Sequence, residues 1–263
     1  MPESESNDAK AYTKARFFKS ALQVNPASYI RYRGKDQTIT ENEYNQKLLE
    51  ATLEAGIEII GLADHGAVDG VDKLRALFQA NGAIVFPGFE IASSEKIHFV
   101  CLFDENKTSQ ELERVLGSLR LLDPQDGIRP SRLSAEQLIE EVIRQDGFIF
   151  AAHCTNDNGV LKAGQMNHVW RHPGLLAAQI PGSIEDLRGV EGDFYRKVLL
   201  NKNPDYRRDH IVAPINAADV SEPDEIRGNR ASCLVKMTRP CFASFKQDTL
   251  TKLTLNYQNT LTP

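Results

Sequence analysis

Four short apolar runs in this chain each lead into a residue able to hold a metal ion, and that recurrence constrains the fold more than any single motif. Residues 59–63 lead into Asp64 and His65, 84–89 into Glu90, 148–152 into His153, and 211–218 into Asp219. Runs this short, rich in β-branched and aromatic side chains, read as buried parallel strands. A ligand-type or acid–base residue at the exit of several strands is how barrel-type α/β enzymes gather a site from distant parts of the chain.

Helix signals fall between the runs. Thr40-Glu41-Asn42-Glu43 is a capping box, followed by Tyr44, Leu48, Leu49 and Leu53 at helical spacing and by Gly56 as a stop. Residues 71–80 read as a helix closed by Asn81-Gly82, residues 109–121 as another, and Ser134 to Gln137 cap a helix running through Val142. Residues 16–25 read as a first strand stopped by Pro26, and residues 98–103 as another strand. Residues 177–180 and 233–237 carry weaker strand signals. The alternation predicts a parallel sheet of six or seven strands, open or closed into a barrel. With no internal repeat and no Gly/Ser linker, a single domain over 15–247 is expected, with a polar leader (1–14) and a polar tail (248–263). The stretches 123–132 and 156–171 read as loops that could rim a site.

A chain that is 41% apolar and 25% charged is of the ordinary globular type. Its net charge of −5 argues against a generally basic surface that coats nucleic acid. Cys101, Cys154, Cys233 and Cys241 form no CxxC pair and read as free thiols of a reducing compartment. The acidic N-terminus lacks the apolar core of a signal peptide, and no stretch is long enough to span a bilayer, so a cytoplasmic protein with no membrane partner is expected.

Of six histidines, His65, His98 and His153 fall at or inside strand-like runs, whereas His168, His172 and His210 read as loop or structural residues. Glu90 closes an apolar strand, which is costly for an acid unless it is paired or coordinated. His153 follows two alanines that leave room around it.

Read in order, Asp64-His65, Pro87-Gly88-Phe89-Glu90, His98, Ala152-His153 and Ala218-Asp219 resemble the PHP (polymerase and histidinol phosphatase) family. The resemblance implies a distorted (β/α)7 barrel and a metal cluster that hydrolyses phosphoesters. The wording of residues 17–26 and 230–240 looks most like the N-terminal PHP domain of large PHP–ATPase proteins, the TrlF-like group, so the resemblance implies the PHP half alone, either free-standing, truncated or working beside a separate ATPase partner. Association with DNA metabolism is implied by the same likeness.

The departures are specific. Where the family opens with His-x-His this chain has Gln23-Val24-Asn25, and where it closes with Asp-x-His this chain has Asp219-Val220-Ser221. Carried across, one metal site keeps Glu90, His98 and His153. A second keeps Glu90 and Asp219 with the amides of Gln23 and Asn25 as weak ligands, and a third keeps His65 but has Ser221 in place of a histidine. Amide oxygens suit Mn²⁺ or Mg²⁺ better than Zn²⁺. The expectation is therefore one firm Zn or Mn ion, room for a second hard ion at the weaker site, and no secure third.

The implied chemistry is hydrolysis of a phosphorylated substrate, a nucleotide, a nucleic acid end or a small phosphate ester. Asp64, His65 and Asp219 are the expected acid–base residues, and Lys236, Arg239 and Arg207 the expected phosphate-binding cations. The rival reading is an inactive barrel that regulates or scaffolds an ATPase. A third, a metal-dependent barrel hydrolase acting on C–N bonds, is disfavoured by the missing His-x-His.

Overall fold

The computed structural model describes residues 14–32, 39–122, 129–180 and 182–250. Nearly all of the expected leader, most of the tail and residues 123–128 of the rim loop lie outside these. The described elements are β1 (Arg16–Val24), α1 (Ala27–Tyr32), α2 (Glu41–Glu54), β2 (Ile59–Leu62), β3 (Asp64–His65), α3 (Val71–Ala80), β4 (Ile84–Phe86), β5 (Gly88–Ala92), β6 (His98–Leu102), α4 (Ser109–Ser118), α5 (Ala135–Arg144), β7 (Phe148–Ala151), α6 (Asn167–Arg171), β8 (Ala177–Ile180), α7 (Gly189–Leu199), β9 (Ala213–Asn216), β10 (Cys233–Met237) and α8 (Phe242–Leu250).

The sequence signals set the helix boundaries. Thr40, Thr108 and Ser134 each accept from the backbone N–H three residues on, while the side chain there (Glu43, Glu111, Gln137) accepts from the cap backbone. Each reciprocal pair satisfies two donors that a helix start leaves open.

The strands form two sheets, one ordered β10-β1-β2-β4 and the other β3-β5-β6-β7-β8-β9. Two of the apolar runs are therefore divided, each feeding one strand to each sheet. The run ending at His65 splits into β2 and β3, and the run through Glu90 splits at Pro87 into β4 and β5. Proline has no N–H to give a ladder, and the Pro87 carbonyl instead accepts from Phe103 N at 2.9 Å. Only glycine fits after it, because a Cβ on Gly88 would stand 2.0 Å from the Cys101 carbonyl oxygen. Glu90 consequently lies in mid-strand on β5 and not at a strand exit.

The expected all-parallel arrangement is also corrected. β1–β2, β2–β4, β3–β5, β7–β8 and β8–β9 are parallel, but β5–β6, β6–β7 and β1–β10 are antiparallel. The cause is local. Only residues 93–97 join β5 to β6, with Ser93 N bonded to Ile97 O, and so short a connection permits only a hairpin. Beyond the sheets, Val24 bridges Val220 in parallel, tying the end of β1 to the segment after β9.

Alternate strand residues face two cores. Ile60, Val85, Phe89, Phe99 and Ile149 pack outward under helices through Leu48, Leu74, Phe78, Leu138 and Val142. Phe18, Ile59, Phe86, Val100, Leu102, Phe148, Phe150 and Ile215 face inward. The inner core is completed by α8, which the sequence reading did not anticipate. Its Phe245 lies edge-on to Phe148 at 4.8 Å between centroids, and Phe242 edge-on to Phe86 at 5.3 Å. The expected tail from 248 thus begins inside a helix. Among the described residues no helix is long and apolar enough to cross a membrane.

Candidate metal centre

Glu90 is built into the inner face by strand parity. Its neighbours Phe89 and Ile91 point to the outer core, so Glu90 and Ala92 point inward. Ala92 pairs with His98 across β5–β6, and Phe99 faces out, so His98 also turns inward, diagonal to Glu90. His153 follows β7 at a turn where its φ is +28°, a left-handed conformation unusual for a residue with a side chain. Its N–H donates to Gln179 Oε1 at 2.8 Å, which fixes the turn.

These three side chains converge. His98 Nδ1 lies 2.9 Å from Glu90 Oε1, His153 Nε2 lies 3.6 Å from the same oxygen, and the two imidazole nitrogens are 3.2 Å apart. One ligand atom from each lies within 4.8 Å of the others. Glu90 is 1% exposed and His98 6%. Burial works to raise the Glu90 carboxyl, but the bonds to His153 and His98 and the nearby His65 outweigh it and hold the group below the usual carboxylate range. For His153, burial opposes the charged ring, while the Glu90 bond and the charges of Glu90 and Asp219 raise it. An ionised carboxylate with two converging imidazoles is a donor set suited to a divalent transition metal.

Two more of the expected residues reach Glu90, and the others form contacts of their own. Gln23 Nε2 donates to Glu90 Oε2 at 2.5 Å, and His65 Nε2 is 3.5 Å from the same oxygen. A bulge between Ala21 and Val24 turns Gln23 inward. Asn25 Nδ2 donates to Asp219 Oδ1 and, at 3.1 Å, to the Val220 carbonyl. Ser28 Oγ donates to Asp64 Oδ2 at 2.6 Å, and burial raises the Asp64 carboxyl against that bond. Ser221 Oγ donates to Glu225 Oε2 at 3.0 Å.

Sequence reasoning missed three participants. Tyr29 stacks on His65 at 4.5 Å between centroids and an interplanar angle of 9°, with its hydroxyl 3.4 Å from Asp219 Oδ2. Tyr44 donates to the Asn25 carbonyl at 2.9 Å. Gln179 links Gln23 to the His153 turn. A lone amide in the apolar strand 177–180 was the available signal, since a buried amide must find partners.

The expected phosphate-binding cations are not at this site. Lys236 is exposed and pairs with Phe17, at the opposite end of β1 from Gln23, and exposed Arg239 follows it past the end of β10. Arg207 is exposed ahead of β9, beside Arg208, which donates to the carbonyl of Trp170 in α6. Lys236 lies on β10, which runs antiparallel to β1 and carries it away from the site. Among the described residues, Arg129 lays the stem of its side chain over the turn that follows His65. Its Cβ would lie 2.7 Å from a Cβ on Gly66, in the turn just after His65, where φ is +62°.

No family model matches the chain. The chain is 26% identical over 167 residues to a protein of Methanosarcina acetivorans named ribose-5-phosphate isomerase A, covering 59% of this chain and 68% of that one. Its fold is shared with solved structures of low identity. The lesion-specific endonuclease PfuEndoQ of Pyrococcus furiosus superposes with TM-score 0.57 at 10% identity over 88% of this chain. Endonuclease Q in complex with a 27-mer duplex bearing an abasic lesion at its active site gives 0.58 at 10% identity over 91%. A protein of Bifidobacterium adolescentis, described as a metal-dependent phosphoesterase, gives 0.50 at 11% identity over 71% of this chain and 85% of that one. The chain spans 55% and 58% of the two endonuclease chains. It thus shares its mixed α/β fold with endonuclease Q and with the Bifidobacterium protein, and gathers a Glu/His/His cluster in which Glu90 and His98 are buried and His153 half-buried.

Proposed function

We propose that this chain is a metal-dependent phosphoesterase of the PHP type, its strands forming a distorted β/α barrel closed at the Val24–Val220 bridge. The observation that carries the reading is the convergence of Glu90, His98 and His153 around one buried, ionised carboxylate. Nothing in packing requires three such groups to meet on the inner face, and a buried carboxylate beside two imidazoles is costly unless the cluster has a task.

A divalent ion held by these three would polarise a phosphoryl oxygen and acidify a water bound beside it. The surrounding residues supply the rest. Asp219, oriented by Asn25 and Tyr29, accepts the proton of the attacking water. Asp64, whose carboxyl burial pushes up, hands a proton to the departing oxygen, with His65 held flat against Tyr29 between it and Glu90. Arg129, over Gly66, meets the substrate phosphate. The fold shared with endonuclease Q supports a nucleic acid strand or end as substrate. The net charge of −5 favours contact confined to a cleft.

The test is elemental analysis of purified protein, followed by hydrolysis assays with Mn²⁺ or Zn²⁺ on p-nitrophenyl phosphate, bis-p-nitrophenyl phosphate, abasic and undamaged DNA oligonucleotides, and ribose 5-phosphate. Metal-dependent release of phosphate, or strand scission abolished by Glu90→Gln, supports the reading. Metal-free protein inactive on every substrate sinks it in favour of a scaffold for an ATPase partner. Conversion of ribose 5-phosphate without phosphate release would instead favour the isomerase chemistry named for the Methanosarcina relative.

A further inference from the structure

We propose that the centre takes one cation and excludes a second, because Gln23 holds an amide nitrogen against the Glu90 oxygen that a second ion would need. The proposal rests on the reading of Glu90, His98 and His153 as a metal centre and deepens it.

Two backbone groups fix the orientation of Gln23. Gln179 Oε1 accepts from the His153 N–H at 2.8 Å, and a backbone N–H can only donate. Gln179 Nε2 donates to the Ala217 carbonyl at 2.7 Å, and a carbonyl can only accept. Turning the Gln179 amide over would oppose donor to donor and acceptor to acceptor. Its nitrogen therefore also faces Gln23 Oε1, at 2.6 Å. With that oxygen committed, Gln23 has only its Nε2 left to present to Glu90 Oε2, at 2.5 Å. Gln23 is 1% exposed and Gln179 2%, so water does not take over either contact.

The two oxygens of Glu90 are thus divided. Oε1 faces His98 and His153. Oε2 receives an N–H from Gln23, and an N–H carries a hydrogen where an ion needs a lone pair. Asn25 follows the arrangement in part: the Val220 carbonyl fixes its Nδ2, which donates to Asp219 Oδ1, while its own buried Oδ1 has no hydrogen-bond partner among the described residues. The two carboxylates able to share a second ion are both capped by amide donors. Gln23 and Gln179 act as positioning residues that hold Glu90 for one ion, and on this proposal Gln23 orients Glu90 and is not itself a ligand.

The test uses the full chain, loaded with Mn²⁺ and freed of excess metal, with metal counted by mass spectrometry. Electron paramagnetic resonance then distinguishes an isolated Mn²⁺ from a coupled pair. The unmodified chain should hold about one ion with an isolated six-line signal, given one complete donor set. Gln23→Glu keeps the size and the bond from Gln179 but opposes two carboxylates, so it should raise the content to about two ions with a coupled spectrum. Gln23→His, with a neutral nitrogen lone pair, should do the same. A coupled pair in the unmodified chain overturns this proposal and leaves the phosphoesterase reading standing. Folded Gln23→Glu and Gln23→His variants that stay at one ion overturn it too, since something other than the amide would then exclude the second. An unmodified chain that holds no metal overturns both.

Discussion

His153 Nε2 lies 3.2 Å from Nδ1 of His98, with the two rings nearly perpendicular at 69° and Glu90 Oε1 within 2.9 Å of one nitrogen and 3.6 Å of the other. Two imidazole nitrogens can stand so close to a shared carboxylate oxygen only with a proton or a cation among them. If the site takes a cation, the cation stabilises the fold. An ion at a hundred times its dissociation constant adds about 2.7 kcal/mol, which for a chain of this size raises Tm by roughly 5–10 °C. His153→Ala should abolish that increase on addition of Mn²⁺ or Zn²⁺ in a thermal melt while the metal-free Tm changes much less. A variant that keeps the full increase would remove His153 from the ligand set.

Much of this centre is legible in the sequence, for a physical reason. Glu90 and His98 lie eight residues apart, one on each arm of a hairpin, so their separation is a local property of the chain. His153 and Asp219 lie near the ends of short apolar strands, and strands of this kind deliver such residues to one rim. What could not be read is whatever depends on pairing between distant segments. That Gln179 would meet Gln23 across 156 residues is invisible until the strand order is known. The direction of β10 is equally hidden, and with it the removal of Lys236 from the site. The division of two runs between two sheets was partly visible in Pro87-Gly88, which punctuates an otherwise continuous apolar stretch.

Substrate affinity should follow the placement of the cations. Arg129→Ala should raise KM for a phosphoester at least severalfold with a smaller change in kcat, because a charge-assisted hydrogen bond to phosphate contributes about 1.5–3 kcal/mol. A double variant of Lys236 and Arg239 should leave both constants within about twofold, consistent with the small effect of surface substitutions. Steady-state kinetics on one substrate decide the matter, and the reverse pattern would place the phosphate on the other side of the sheet.

Buried thiols give stability a defined dependence on alkaline pH. Burial raises Cys154 far above the ordinary thiol, raises Cys101 with the Glu90 charge adding to the effect, and pushes Cys233 up to about 12. The unfolded chain loses these protons near pH 8.5, whereas the folded chain retains them, so the unfolded state binds fewer protons above that point. Stability from these groups is complete below about pH 8.5 and is lost as pH climbs towards the folded values. The limiting slope is roughly 1.4 kcal/mol per pH unit for each fully buried thiol. The urea midpoint should hold between pH 7 and 8 and fall from pH 9 to 10, and Cys154→Ala should flatten that fall. An equally steep fall in the variant would assign the effect to other groups.

Helix α8 should prove part of the folded unit and not a dispensable appendage. Phe245 is 2% exposed and touches Phe86, Phe148 and Phe242, so it fills the inner core beneath β4 and β7. Truncation of a buried phenylalanine costs about 3–5 kcal/mol, a large share of the ~5–15 kcal/mol that holds a domain together. Phe245→Ala should therefore lower the urea midpoint sharply, and truncation before Phe242 should leave a chain that binds a hydrophobic dye and loses cooperative unfolding. Phe245→Leu, which keeps most of the volume, should recover the larger part of the loss. If truncation before Phe242 leaves the melt unchanged, the inner core is closed by something other than α8.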